Sequence, residues 1–301
     1  MKTALVLSGG GARGLAHLGV MKAFEKAGIK IDMIVGCSFG AIIGAMYAQT
    51  PDSAKVEKHM HKFMHDRAFK ELGLNYLKKS TVTSDDTLRQ LANSIKDWVL
   101  LNVIAKRMAL FKAERLENAI NFLLRDENIE DCRLPFACNA TDLVTGRPYL
   151  FTEGGIRKAV TASATIPGYF PPVRHADKLL VDGAVSYNLP VRLAREMGAD
   201  FVIAVDVHPF IHPENNFKNV LDVILRVKSI TSNILTDETM NAADVLIIPP
   251  VKEYFWYEFD RFAEIIQAGK QAARLRFKEI EQKMQPQGLQ RVKRMFRSTA
   301  D

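Results

Sequence analysis

Apolar residues open the chain as a short unbroken run, Thr3 to Ser8 (TALVLS), the pattern of a strand buried on both faces. A glycine cluster follows, Gly9-Gly10-Gly11-Ala12-Arg13-Gly14, then a helical pattern that runs to Ala27 and is closed by Gly28. The same grammar returns at once: Met33 to Val35 reads as strand, Gly36-Cys37-Ser38-Phe39-Gly40 as turn, and Ala41 to Ala48 as a helix ending near Pro51. Two consecutive units of this kind predict a parallel sheet with both loops at the carboxyl ends of their strands.

From Asp52 to about Arg125 the pattern turns helical, charged and rich in Met and Phe, with no strand alternation, and is expected to form a helical insertion beside the sheet. Within it Val99, Val103, Met108, Leu110, Phe111, Leu116, Ile120 and Leu123 recur at helical intervals among Lys and Arg, a face expected to pack into a core rather than to form a lipid-facing lid. Strand character returns at Leu134 to Ala140, Pro148 to Thr152, Lys178 to Val181, Phe201 to Val207 and Val245 to Ile248, and Phe259 to Met284 reads as a long amphipathic helix. No internal repeat, low-complexity linker or domain boundary interrupts the chain. The expectation is one α/β domain over residues 1–301, a three-layer α/β/α fold on a mainly parallel central sheet, with a helical insertion at 52–125 and a basic helical tail at 259–301.

Composition changes this picture little. The 301 residues are 48% hydrophobic, ample for a core. Three cysteines, Cys37, Cys132 and Cys138, have neither metal spacing nor a disulfide framework, which suits a reducing, cytoplasmic setting. The apolar run after Lys2 is too short for a secretory signal, so the chain is expected to begin at Met1. Met33 to Pro51 are nineteen uncharged residues, long enough for a membrane span. Gly36, Gly40 and Gly44 punctuate them, however, and a buried strand, turn and helix fits better. Of the net charge of +7, six units belong to residues 270–301, with nine Lys or Arg against three acidic residues. Such a tail attracts anionic headgroups by roughly 1 kcal/mol per charge, and a solvated helix face is the competing reading. Peripheral contact of residues 270–301 with an anionic membrane is one expectation; nucleic acid is not.

Gly36-Cys37-Ser38-Phe39-Gly40 spells G-x-S-x-G between a predicted strand and a predicted helix, the setting of a nucleophile elbow. Such a turn holds its serine in a tight conformation that exposes the hydroxyl, and the glycines let neighbouring chain pass closely. A serine nucleophile needs donors for the oxyanion, each worth roughly 3–4 kcal/mol. The amides of Gly9, Gly10 and Gly11, on the adjacent loop, and of Phe39, at the start of the nucleophile's helix, are the candidates. Arg13 would add positive charge there, or pair with an acidic side chain. Gly9, Gly11 and Gly14 also spell G-x-G-x-x-G, but a dinucleotide site requires an acidic residue at the end of the second strand. Here Gly36-Cys37-Ser38 stand at that end and Asp32 precedes the strand, and no Gly-Lys-Ser/Thr follows the loop.

For a base, Leu179 to Val181 is strand-like and delivers Asp182-Gly183-Ala184 at its carboxyl end. A carboxylate near its ordinary pKa of about 3.9 is a feeble base, and an aspartate before glycine is also an ordinary turn. The residues alone leave these readings open. The order Ser38, Asp182, His208 would suit a triad, although His208-Pro209 also reads as a simple strand exit. His17 is expected to pack or cap, and His59, His61 and His65 lack an acidic partner at metal-binding spacing. Tyr169 and Phe170, beside Pro171-Pro172, are candidates for the wall of an acyl pocket or for plain core aromatics.

Taken together, the glycine loop Gly9 to Gly14, the elbow Gly36 to Gly40, the stretch Ala162-Ser163-Ala164-Thr165-Ile166-Pro167-Gly168-Tyr169-Phe170-Pro171-Pro172 and the triplet Asp182-Gly183-Ala184 resemble the successive blocks of patatin-like phospholipases. Cys138-Asn139-Ala140-Thr141-Asp142-Leu143 with Thr145-Gly146 is similar to a further stretch, so the resemblance covers roughly residues 3–208. It implies a lipid acyl hydrolase with Ser38 as nucleophile, Asp182 as its base in a Ser-Asp dyad, and Gly9, Gly10, Gly11 and Arg13 as oxyanion elements. A lipid or lysophospholipid ester would be the substrate, with no metal or cofactor. The chain departs from the family at Phe39, where a smaller residue is expected, and its ring would narrow the mouth of the acyl pocket. A regulatory or binding protein on the same fold is the alternative of another class.

Overall fold

The computed structural model describes residues 1–74, 108–208 and 220–284. Strand β1 (Thr3–Leu7) leads through a 3-10 turn at Gly11–Gly14 into α1 (Leu15–Ala27), and β2 (Met33–Cys37) leads through Ser38 into α2 (Phe39–Gln49). The insertion supplies α3 (Ser53–His65), α4 (Arg67–Glu71) and α5 (Ala113–Leu123). Then come β3 (Phe136–Asp142), β4 (Pro148–Phe151), α6 (Ile156–Ser163), the short hairpin β5 (Val173–His175) and β6 (Lys178–Asp182), α7 (Val191–Glu196) and β7 (Phe201–Val205). Helix α8 (Val220–Met240), β8 (Val245–Ile247) and α9 (Phe262–Met284) complete the described chain.

The strands form one eight-stranded sheet in the order β5-β6-β3-β2-β1-β7-β8, with β4 also paired to β3. The β3-β2-β1-β7-β8 pairings are parallel, and the pairings of β4, β5 and β6 are antiparallel. Side chains alternate between two cores. Leu5, Leu7, Ile34, Phe201, Ile203 and Val205 face the larger core, shared with α1, α2, α3, α5, α6 and α9, whereas Ala4, Val6, Met33, Val35, Val202 and Ala204 face a smaller one shared with α7. Both faces being covered is why these strands read as unbroken apolar runs. The three-layer α/β/α architecture with a mainly parallel sheet is as expected, and the uncharged stretch Met33 to Pro51 is a strand and an 11-residue helix rather than a span.

The structure adds elements that the pattern does not predict. Three-residue β5, eight-residue α6 and six-residue α7 are too short for a clear period, and α8 spans 21 residues whose apolar positions do not all face a core. In the insertion, Leu116, Ile120 and Leu123 are buried as expected, but Met108 and Leu110 are exposed. Val99 and Val103 lie outside the described residues. The predicted basic tail also divides: α9 lies in the larger core through Ile265, Ile266, Ala272, Ala273 and Ile280, so its charges line the outside of a structural helix. Among the described residues no helix is long and apolar enough to cross a membrane.

Candidate active site

Strand β3 brings the two central side chains together. Its residues 138–141 pair with β4 on one edge, so β2 and β6 follow one another along the other. The last residue of β2, Cys37, lies opposite Asn139, and the last residue of β6, Asp182, lies opposite the next residue, Ala140. The turn after β2 and the end of β6 therefore meet, and Ser38 Oγ donates a 2.6 Å hydrogen bond to Asp182 Oδ2.

Ser38 has φ 52° and ψ −121°, a conformation that costs a non-glycine residue about 1–3 kcal/mol. The surroundings enforce it. A Cβ on Gly36 would lie 2.6 Å from Ala41 Cα, and one on Gly40 would lie 2.5 Å from the Leu7 carbonyl oxygen, so only glycine lets the elbow close against β1. The Ser38 amide donates to Ser163 Oγ at 2.9 Å, which ties the elbow to the end of α6. Cys37, one residue before, is fully buried, and burial above all pushes its thiol well above the usual range, so it stays protonated.

Asp182 is held on three sides. Its Oδ1 accepts from the Ala184 amide at 2.9 Å, its amide donates to the Thr165 carbonyl at 2.8 Å, and its carbonyl accepts from Thr141 Oγ1 at 3.1 Å. These contacts leave Oδ2 aimed at the serine. Beneath them Asn139 Nδ2 donates to the carbonyls of Gly183 and Tyr187, fixing the turn that follows Asp182.

The glycine loop lies over Ser38. Gly9, expected among the oxyanion donors, gives its amide to the Asn188 carbonyl at 3.2 Å, so its place in the loop is one of close approach. A Cβ there would sit 3.1 Å from Ser38 Cβ. The amides of Gly10 and Gly11 carry no such bond among the described residues, and that of Phe39 opens α2, where helix amides have no acceptor within the helix. Arg13 is buried and donates to the Tyr254 carbonyl at 3.4 Å. Burial lowers its pKa to about 10, and the charge of Asp206 partly restores it. Its field is thus shared between the cavity that it lines and a buried carboxylate.

Ser38 and Asp182 open into a cavity of about 450 Å³. Its polar groups, Arg13, Ser38, Asp182, Asn188, His208 and Ser232, come from the loops, the end of β6 and α8; the described part of the helical insertion adds apolar wall, with Phe63, Phe69, Leu116, Ile120 and Leu123. Tyr169 and Phe170 line it as well, and Phe39 packs its ring against Phe259 at 5.5 Å. His208 shares this wall: its Nε2 meets Ser232 Oγ at 3.3 Å and its amide donates to Asp206 Oδ1 at 3.1 Å. His17 is buried with Nε2 on the Ser8 carbonyl at 2.8 Å, below the loop. His59 meets the Phe122 carbonyl, and His61 packs beside His65 on α3.

Sequence reasoning did not single out Ser163, Asn188, Trp256 or Phe259. Ser163 stands within the quoted stretch Ala162 to Pro172, which is the one available signal. The other three reach the site through long-range packing that no local pattern announces.

A serine in a strained elbow, hydrogen-bonded to a buried aspartate at the carboxyl edge of a mainly parallel, helix-covered sheet, sets the chain among α/β proteins with an elbow-type site. Within it, the sequence profile described as patatin-like phospholipase matches residues 5–195, and the chain belongs to that family. It is 35% identical over 205 residues to a patatin-like phospholipase domain-containing protein of Caenorhabditis elegans, covering 67% of this chain and 16% of that protein. It is 30% identical over 293 residues to a lysophospholipase of Aspergillus fumigatus, covering 88% of this chain and 17% of that protein. The chain thus spans about a sixth of the length of these relatives. Among solved structures, VipD from Legionella pneumophila aligns with a TM-score of 0.45 at 14% identity, over 91% of this chain and 66% of that one.

Proposed function

We propose that the protein hydrolyses carboxylic esters of lipids through a Ser-Asp dyad and an acyl-enzyme. The observation that carries the proposal is the 2.6 Å bond from Ser38 Oγ to Asp182 Oδ2 in a cavity whose lining is mostly apolar. Family membership and relatives bearing the names phospholipase and lysophospholipase support the lipid class.

In this mechanism Ser38 Oγ attacks the ester carbonyl as its proton passes to Asp182 Oδ2. The oxyanion is met by the amides of Gly10, Gly11 and Phe39, with Arg13 adding positive charge and Gly9 shaping the loop. The C–O bond to the alcohol then breaks, and the alcohol leaves with the proton from Asp182. Water attacks the acyl-enzyme, giving its proton to the same carboxylate; the fatty acid departs and Ser38 regains its proton. Tyr169 and Phe170 take their place along the acyl chain, in a site that uses only side chains and amides.

A fluorophosphonate probe tests this. Labelling of the wild type that disappears in Ser38→Ala is expected, and an unlabelled wild type would favour a binding or regulatory role on the same fold. In ester turnover, Asp182→Asn is expected to lose about 10²–10⁴-fold and His208→Ala to keep most activity. Equal losses in the two, with both folded, would replace the dyad by a triad.

A further inference from the structure

Cavity-lining residues that also reach solvent mark its opening. Val185 is 37% exposed, and Tyr169 and Trp256 are half-buried with rings 5.5 Å apart, edge on. Two exposed apolar groups adjoin this pair from distant parts of the chain. Phe255, 57% exposed, precedes Trp256 and stacks on Tyr257 at 5.4 Å and 5°. Met108 and Leu110, 67% and 42% exposed, belong to a segment pinned to the opening, because Leu110 donates to the Gly168 carbonyl and Phe111 to the Tyr169 carbonyl, both at 2.9 Å. The aromatic loop is pinned too: the Trp256 carbonyl accepts from Ala12 at 2.7 Å, and Glu258 accepts from the Phe255 amide at 2.7 Å.

Large apolar side chains held outward on anchored backbone have lost the option of folding back onto the core. An exposed apolar patch on a folded chain marks a partner that is itself apolar. Here the patch continues into a cavity whose wall is largely apolar, so whatever covers the rim also feeds the site. The amphipathic rings of Trp256 and Tyr257 have their lowest free energy where hydrocarbon meets water, and the wholly apolar ring of Phe255 gains by entering the hydrocarbon itself.

We propose that Met108, Leu110, Val185 and Phe255 form an interfacial docking rim, and that its occupant is the surface of a lipid aggregate, a bilayer or micelle. An acyl chain then passes from the aggregate into the cavity without crossing water. The inference rests on the lipid-ester reading of the same cavity, but the rim and the chemistry fail separately. Docking by apolar insertion is also distinct from attraction through the basic residues 270–301, since salt screens charge and leaves apolar burial in place.

The test uses Leu110→Ser with Phe255→Ser, and Met108→Ser alone as a second variant. Each is measured for turnover of a soluble short-chain nitrophenyl ester, turnover of a long-chain ester in mixed micelles, and co-sedimentation with phosphatidylcholine vesicles, with and without phosphatidylglycerol. Because the residues are exposed, unchanged thermal midpoints and soluble-ester rates within about twofold are expected. Micellar turnover and vesicle binding should fall about tenfold or more, and wild-type binding should persist in about 0.5 M salt. Variants that bind vesicles and turn over micellar ester like the wild type would overturn the rim. So would a wild-type dimer that the double variant dissolves without changing vesicle binding, which would make the rim a contact between two copies. A wild type that binds vesicles yet turns over no ester would sink the hydrolase reading and leave the rim standing.

Discussion

The site's residues are constrained more by backbone than by side-chain chemistry. Ser163 illustrates this: its hydroxyl accepts the amide of the strained Ser38, and Ser163→Ala would orphan a donor, a loss of about 1–3 kcal/mol. We expect that variant to remain folded with a lowered melting temperature and a kcat reduced about tenfold at unchanged KM; unchanged kcat would remove Ser163 from the positioning of the nucleophile. Two buried titratable groups below the glycine loop should shape stability in acid. Burial lowers the His17 pKa to about 4, so folding excludes a proton that the unfolded imidazole binds, and stability from this group is lost as pH falls from about 6.5 to about 4. Burial raises the Asp206 pKa to about 6, so the folded state holds the extra proton, and its contribution grows as pH falls from about 6 to about 4. The two slopes oppose each other. His17→Gln should flatten acid destabilisation and Asp206→Asn should steepen it, as read from melting temperature against pH; parallel profiles for both variants and wild type would refute the assignment.

At the level of elements, α1 and α9 cross at glycines. A Cβ on Gly19 would overlap the Ile266 carbonyl oxygen and one on Gly269 the Ala16 carbonyl oxygen, so the two backbones touch. Gly19→Ala should therefore cost more than about 2 kcal/mol in urea unfolding, despite alanine's better helix propensity. A stabilised variant would show that the crossing can open. Helix α5 has two duties. Leu116, Ile120 and Leu123 satisfy the periodicity that predicts a core, and they also form the apolar wall of the cavity. Periodicity reports that a face is covered and is silent on whether side chains or a ligand cover it. Ile120→Trp should shift the preferred acyl chain to shorter lengths, seen as a fall in kcat/KM for long-chain esters with short-chain rates retained. A uniform fall would assign Ile120 to stability alone.

Across the whole molecule, the tail's meaning changes with α9. Truncation after Lys270 would remove Ala272, Ala273 and Ile280 from the core, so loss of vesicle binding in such a variant would report unfolding. Cleavage after Met284 is the informative experiment, and a cooperative transition close to that of the full chain is expected. Two strand-loop-helix units, the sites of most strands and the elbow were legible along the chain, because unbroken apolar runs, glycine turns and helical periods are local signals. Ser38 was legible for the same reason, since strand, turn and helix surround it within about a dozen residues. The residues alone left Asp182 balanced between base and turn. It meets Ser38 because β3 carries β2 and β6 in tandem on one edge, a register set by packing across 144 residues of sequence. The engagement of Gly9 by Asn188, the Ser163 contact and the rim from three distant segments are of the same kind. Local hydrogen bonding and patterning fix elements, whereas the meeting of side chains far apart in sequence follows from how those elements share one sheet and one core.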